Sequence, residues 1–228
     1  MGGRGCGDLV LPLPLGEGRG EGNDHGACGV DWQERHACHD RFAQRALLSE
    51  ADYLAREEES RIRHEFVNGE MYAMSGGTQR HNRIAGNVYV ALSQGMRGKP
   101  CQVFVNDVKL NVARDEAYYY PDVMVVCGES YRVAGDAKSV TDPVLVVEVL
   151  SPSTENIDRR EKLASYRRLH SLVEYVLISQ DKQQVEIYRR QGDIGWFYLS
   201  FEANDEVTLS SLAITVPVQD LYAGTDVA

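Results

Sequence analysis

Nowhere in this 228-residue chain does an apolar run approach the roughly 20 residues that span a bilayer. That argues against a membrane-spanning helix. The start shows no basic region followed by a continuous apolar core, so no secretory signal is read and a cytoplasmic protein is expected. Cysteine is sparse and odd in number: Cys6, Cys28, Cys38, Cys101 and Cys127, with no CxxC pair. Neither a disulfide framework nor a zinc ribbon is therefore expected. Cys28, His36, Cys38 and His39 lie close together, but their spacing fits no common zinc finger. Positive charge is also short, with 24 Lys and Arg against 34 Asp and Glu, a net charge of −10. That sum opposes non-specific nucleic-acid binding, whose affinity comes mostly from basic contacts to phosphate. A local basic patch stays compatible with it, because electrostatic steering depends on distribution as well as sum. There is no internal repeat and no linker between two domains.

What is present is one domain's worth of chain with 43% hydrophobic residues, enough for a real core. Residues 1–44 differ from the rest: LPLPLGEGRGEG is low in complexity and rich in Gly and Pro. Such composition cannot bury enough apolar surface to offset its ordering entropy, so a disordered or non-native leader is expected. Residues 45–228 are read as the folded domain.

Ser49 with Asp52 predicts a capped short helix through about Glu58. HEFV and EMYAM flank Asn68-Gly69, a hairpin signal, since a type I′ turn needs positive φ at both central residues. Ile84, Val88, Leu92 and Met96 recur at helical spacing and predict a helix from about Gln79 to Met96. CQVFVNDVKLNV alternates, which predicts one strand with Val103, Val105, Asp107 and Lys109 on one face. Tyr118 to Val126 reads as a second strand. Val144 to Leu150 is continuously apolar but for Glu148, the pattern of a strand covered on both faces. Asp158 and Glu161 resemble a helix start, with the helix running to about Leu169. EYVLIS and QVEIYRR read as a hairpin, followed by antiparallel strands at Trp196–Phe201 and Glu206–Leu209.

Two acids stand in apolar surroundings: Asp122 after Pro121, and Glu148 between Val147 and Val149. A buried carboxylate is either paired with a base or bound to a cation. With the strands paired and their faces aligned, the two acids converge on one site, and oxygen ligands of this kind suit Mg²⁺ or Mn²⁺. Such an ion activates water and stabilises phosphoryl charge, and a nearby lysine helps to orient or deprotonate the water. Asp107 either joins the metal shell or pairs with Lys109. Tyr118, Tyr119 and Tyr120 are either base-stacking groups or core. Arg159, Arg160, Arg167 and Arg168 are either a phosphate-facing surface or a solvated face balanced by Glu155 and Glu161.

RHEFVNGEMYAMSGG, RHNRIAGNVYVAL, YYYPDVMVV, PVLVVEVLSPSTENIDRREKLASYRRL and EYVLIS, in that order, resemble the Uma2 (DUF820) family of the PD-(D/E)XK nuclease superfamily, over about Leu47 to Tyr222. The resemblance implies an α/β (α+β) fold: a restriction-endonuclease-like mixed β-sheet flanked by helices, with an extra N-terminal hairpin and C-terminal antiparallel strands. It implies a Mg²⁺-dependent endonuclease (Mn²⁺ as the substitute) that hydrolyses DNA phosphodiester bonds, and a homodimer. Asp122 matches the PD acid and Glu148 the acid of (D/E)XK, with the Val149 carbonyl as a further metal ligand. Leu150 stands where the lysine is usual, so Lys162 on the following helix, or alternatively Lys109, is the substitute. Glu65 is a candidate for the additional early acid, ahead of Glu70, and His81 for a phosphate- or water-contacting group. A catalytically silent nucleic-acid- or protein-binding member of the same fold is the alternative.

Overall fold

The computed structural model describes residues 47–112, 117–128 and 139–227. The expectations for the leader and for the Cys28, His36, Cys38, His39 group lie outside these residues.

Helix α1 (Glu50–Glu59) is capped by Ser49, whose hydroxyl accepts from the Asp52 amide at 3.1 Å. Strands β1 (His64–Val67) and β2 (Glu70–Ala73) pair around Asn68 and Gly69, with φ of 50° and 87°, the turn the sequence demanded. Helix α2 (Gln79–Gly95) starts at Thr78, whose hydroxyl accepts from the His81 amide, and buries Ile84, Ala85, Val88 and Leu92.

The next two expected strands are each broken in two. CQVFVNDVKLNV becomes β3 (Cys101–Val105) and β4 (Lys109–Val112), separated at Asn106 with φ of 52°. Tyr118 to Val126 becomes β5 (Ala117–Tyr119) and β6 (Val123–Cys127). Pro121 in this second break has no amide to donate to a ladder. Both breaks lie side by side, held by the Asn106 amide donating to the Asp122 carbonyl at 2.9 Å. The result is one bent antiparallel ribbon shared by two sheets. An alternation count through Asn106 thus misplaces Lys109, which belongs to a different sheet from Val103 and Val105.

After β7 (Ser139–Val140) comes β8 (Leu145–Leu150), all six residues buried. Then α3 (Glu155–Ile157), a π-helical turn (Asp158–Lys162) and α4 (Leu163–Tyr166) run on without a break. Asp158 is not at a helix start, as expected from sequence, but inside this segment and buried. Strands β9 (Glu174–Ser179), β10 (Gln184–Gln191), β11 (Gly195–Glu202), β12 (Glu206–Leu209) and β13 (Ile214–Pro217) lead to α5 (Val218–Leu221).

A six-stranded sheet in the order β11-β10-β9-β8-β6-β3 is the centre of the fold. It is mixed: β8 and β9 are parallel, and its other pairs are antiparallel. One face carries α2, α5 and the β12–β13 pair over a core that includes Val123, Val147, Val149 and Ile178. The other carries Tyr119, Tyr166 and Leu172 over Met124, Val146 and Leu177. A five-stranded sheet in the order β2-β1-β5-β4-β7 supplies part of that second layer. The mixed, helix-flanked architecture is as expected.

One expectation about cysteine fails. Cys101 and Cys127 stand directly opposite each other in β3 and β6 and form a disulfide. Rules based on cysteine number and spacing see only neighbours along the chain, whereas this pair is made by strand register across 26 residues. No helix among the described residues is long and apolar enough to cross a membrane.

Candidate active site

The register of β6 against β8 pairs Val123 with Val147 and Met124 with Val146. Continued by one residue, it sets Asp122 across from Glu148. Residues directly opposite in an antiparallel pair share a face, so both acids belong to the face over which Tyr166 and Tyr175 pack. Asp122 sits in the bend of the ribbon, where the chain passes from one sheet to the other.

Three further elements converge here. Lys162 projects from the π-helical turn, and its Nζ lies 2.9 Å from Glu65 Oε1, 3.2 Å from Glu148 Oε1 and 3.3 Å from Asp158 Oδ1. Glu65 comes from β1, so the lysine ties the two sheets together. Tyr166, one turn on, donates its hydroxyl to Glu148 Oε1 at 2.9 Å. Asp122 Oδ2 accepts from the Val149 amide at 2.7 Å and lies 3.2 Å from His81 Nε2.

Charge is unbalanced at this point. Burial pushes the Glu148 carboxyl well above its ordinary range; Lys162 opposes this, while Asp158, Asp122 and Glu65 reinforce it. Asp158 is raised as well, chiefly by burial. Burial alone would lower Lys162, but Glu148, Glu65 and Asp158 outweigh it, and the ammonium is held well above its usual range. Burial would likewise lower His81, yet the hydrogen bond and charge of Asp122 and the Val149 backbone raise it. One ammonium faces more carboxylates than it can neutralise.

That surplus is the test for a cation. The contacts of Asp122 and Glu148 fall on Oδ2 and Oε1, which leaves one oxygen of each without a partner among the described residues. Glu65 Oε1 and Asp158 Oδ1 are buried and share a single ammonium, Lys162 Nζ, at 2.9 and 3.3 Å. Among the described residues no three His, Cys, Asp or Glu side chains are pre-arranged as a metal cage. Mg²⁺ does not require one, since it is usually held by one or two carboxylates and keeps several waters. Asp122 and Glu148 are the carboxylates that could hold a hard divalent ion, while the Val149 backbone contacts Asp122 and His81.

Of the residues singled out from sequence, Asp122, Glu148, Glu65, Lys162 and His81 meet. Lys109 does not: its Nζ lies 5.7 and 5.9 Å from the Tyr53 and Tyr118 ring centroids. Asp107 is exposed, 3.6 Å from Arg63, and Glu70 accepts from Tyr72 on the hairpin. Tyr118, Tyr119 and Tyr120 are buried, which removes them as base-stacking groups. Asp158 and Tyr166 were missed as site residues. The signal was present in the spacing Asp158, Lys162, Tyr166, which puts all three on one side of a helix.

A sequence model of the Uma2 family, described as "Putative restriction endonuclease", matches residues 50–219. The chain belongs to the Uma2 family. Two uncharacterized proteins of Synechocystis sp. (strain ATCC 27184 / PCC 6803 / Kazusa) are similar to it. One is 34% identical over 177 residues, 78% of this chain and 92% of the relative. The other is 36% identical over 169 residues, 74% and 96% respectively. The crystal structure of a "putative nuclease belonging to DUF820" from Anabaena variabilis ATCC 29413 superposes with a TM-score of 0.65 at 18% identity. It covers 77% of this chain and 98% of that one. Identity that low speaks for a shared fold, and the Uma2 chain described here has that fold.

Proposed function

We propose that this Uma2 protein is a Mg²⁺-dependent endonuclease that hydrolyses DNA phosphodiester bonds. The observation that carries the reading is the placement of Asp122 across from Glu148 in strand register, with Lys162 reaching Glu148 from the following helical segment. A divalent ion held by Asp122, Glu148 and the Val149 carbonyl supplies Lewis acidity toward a phosphoryl oxygen and toward water. Lys162 takes the place left by Leu150. Glu148, Glu65 and Asp158 favour its ammonium form, which suits it to orient groups and offset charge. Tyr166 holds Glu148, and Glu65 holds Lys162 itself. His81 and the Val149 amide both contact Asp122 Oδ2, which leaves Oδ1 for the ion.

Wild-type protein is expected to nick or linearise plasmid DNA with Mg²⁺ or Mn²⁺ and not in EDTA. Glu148→Gln should lower that rate by at least ~100-fold, as loss of a group acting on developing charge does, with an unchanged circular-dichroism spectrum. Calorimetric titration should show Mg²⁺ binding that Asp122→Asn weakens. Full cleavage by Glu148→Gln would sink the assignment. The second reading, a catalytically silent member that binds nucleic acid or protein, is favoured by the ion pairs Lys162 already makes with Glu65, Glu148 and Asp158. Metal-independent DNA binding without cleavage is its signature.

A homodimer belongs to the same proposal. Support for the dimer is the edge strand β11, which exposes Phe197 and Tyr198; a two-fold arrangement supplies two sites for two DNA strands. Sedimentation at micromolar concentration should give twice the chain mass, and a single-chain mass across that range rejects it.

A further inference from the structure

We propose that Arg167, Arg190 and Trp196 form a second phosphate-contacting site, which holds the DNA backbone some distance from the carboxylate cluster; this rests on the endonuclease reading above. Arg190 and Trp196 are directly opposed in β10 and β11. The Arg190 guanidinium carbon lies 4.5 Å from the indole centroid, and that of Arg167 lies 5.9 Å from it. Arg190 is fixed from behind: Nε donates to the Leu172 carbonyl at 2.8 Å, and Nη2 to the Arg167 and Leu169 carbonyls at 2.9 and 2.6 Å. Its remaining nitrogen, Nη1, has no partner among the described residues.

No carboxylate among the described residues pairs with either guanidinium. Arg159 is paired with Glu155 and Glu186, Arg189 with Glu174, and Arg80 with Asp226. Asp193, in the turn between β10 and β11, makes no such pair. The pKa of Arg190 is lowered, first by burial and then by the charge of Arg167. Two cations on one indole in a chain of net charge −10 are an arrangement that an anion completes. Arg167 has its guanidinium fork to offer to two phosphate oxygens, whereas Arg190 offers only the N–H groups of Nη1.

The site lies on the same face of the six-stranded sheet as Glu148. Register runs from Glu148 to Leu177, from Leu177 to Glu186 and from Glu186 to Ser200. Trp196 is thus three strands across from Glu148 and four residues along. At about 4.8 Å per strand and about 3.3 Å per residue, the two points are roughly 20 Å apart. The acid between them, Glu186, is already engaged by Arg159 and by the Tyr198 hydroxyl.

The test is anisotropy of a fluorescein-labelled 20-base-pair duplex in EDTA, at several salt concentrations, with wild type and Arg167→Glu. Arg167 is exposed and its side chain holds no hydrogen bond among the described residues, so the variant should keep the thermal midpoint of the wild type. Expected are an affinity loss of about tenfold or more and a log–log salt slope shallower by about one. In a Trp32→Phe background Trp196 is the sole indole, and its emission should change on duplex binding. Wild-type binding with the same affinity and slope in Arg167→Glu overturns this site and leaves the endonuclease reading standing. A loss of dimer mass with unchanged DNA affinity also overturns it, by assigning the face to a second copy. No duplex binding by the wild type at low salt overturns both readings.

Discussion

Lys162 shows how much of the site was legible at the level of single residues. Its spacing from Asp158 and Tyr166 placed it on one helix side, and the polar positions within VLVVEVL and YYYPDV marked Glu148 and Asp122 as candidates. What spacing did not disclose is that Lys162 is wholly buried between acids of both sheets. Removing one member of a buried charge cluster leaves the others uncompensated, at a cost of about 3–5 kcal/mol. Lys162→Met should therefore lower the urea-unfolding free energy by that amount, and a loss below about 1 kcal/mol would mean that the cluster is open to water. Lys109 was misread for a local reason. Asn106 takes positive φ, a backbone choice that an alternation count cannot see, and every side chain beyond it changes allegiance.

At the scale of elements, the same blindness explains the disulfide. Cys101 and Cys127 are unremarkable by count and spacing, and only the β3–β6 register makes them partners. Closing a loop of 26 residues stabilises the fold by about 3.5 kcal/mol in the chain-entropy account. Replacing both cysteines with Ala should lower stability by about that much in urea under oxidising conditions, and should abolish the difference that a thiol reductant makes to the wild type. Equal unfolding curves with and without reductant would contradict the bond. The hairpin at Asn68-Gly69 and the helix from Gln79 were readable because their signals are local: turn chemistry, a cap and a four-residue repeat. The split strands were not, because a break between two sheets depends on what packs on either side.

For the whole molecule, the bent ribbon of β3–β4 and β5–β6 has a bearing on the order of assembly. Its two arms are joined by a short connection between Val112 and Ala117, so it closes with little loop entropy. Glu65, Glu148 and Lys162 reach it from sequence positions far apart, contacts that are costly to form early. If the ribbon is the scaffold of the folding transition state, the charge cluster is laid on it afterwards. Interactions absent from that state change unfolding rates and spare refolding rates. Lys162→Met should refold as fast as the wild type and fall apart sooner, so damage at the site would shorten the native lifetime without impeding its formation.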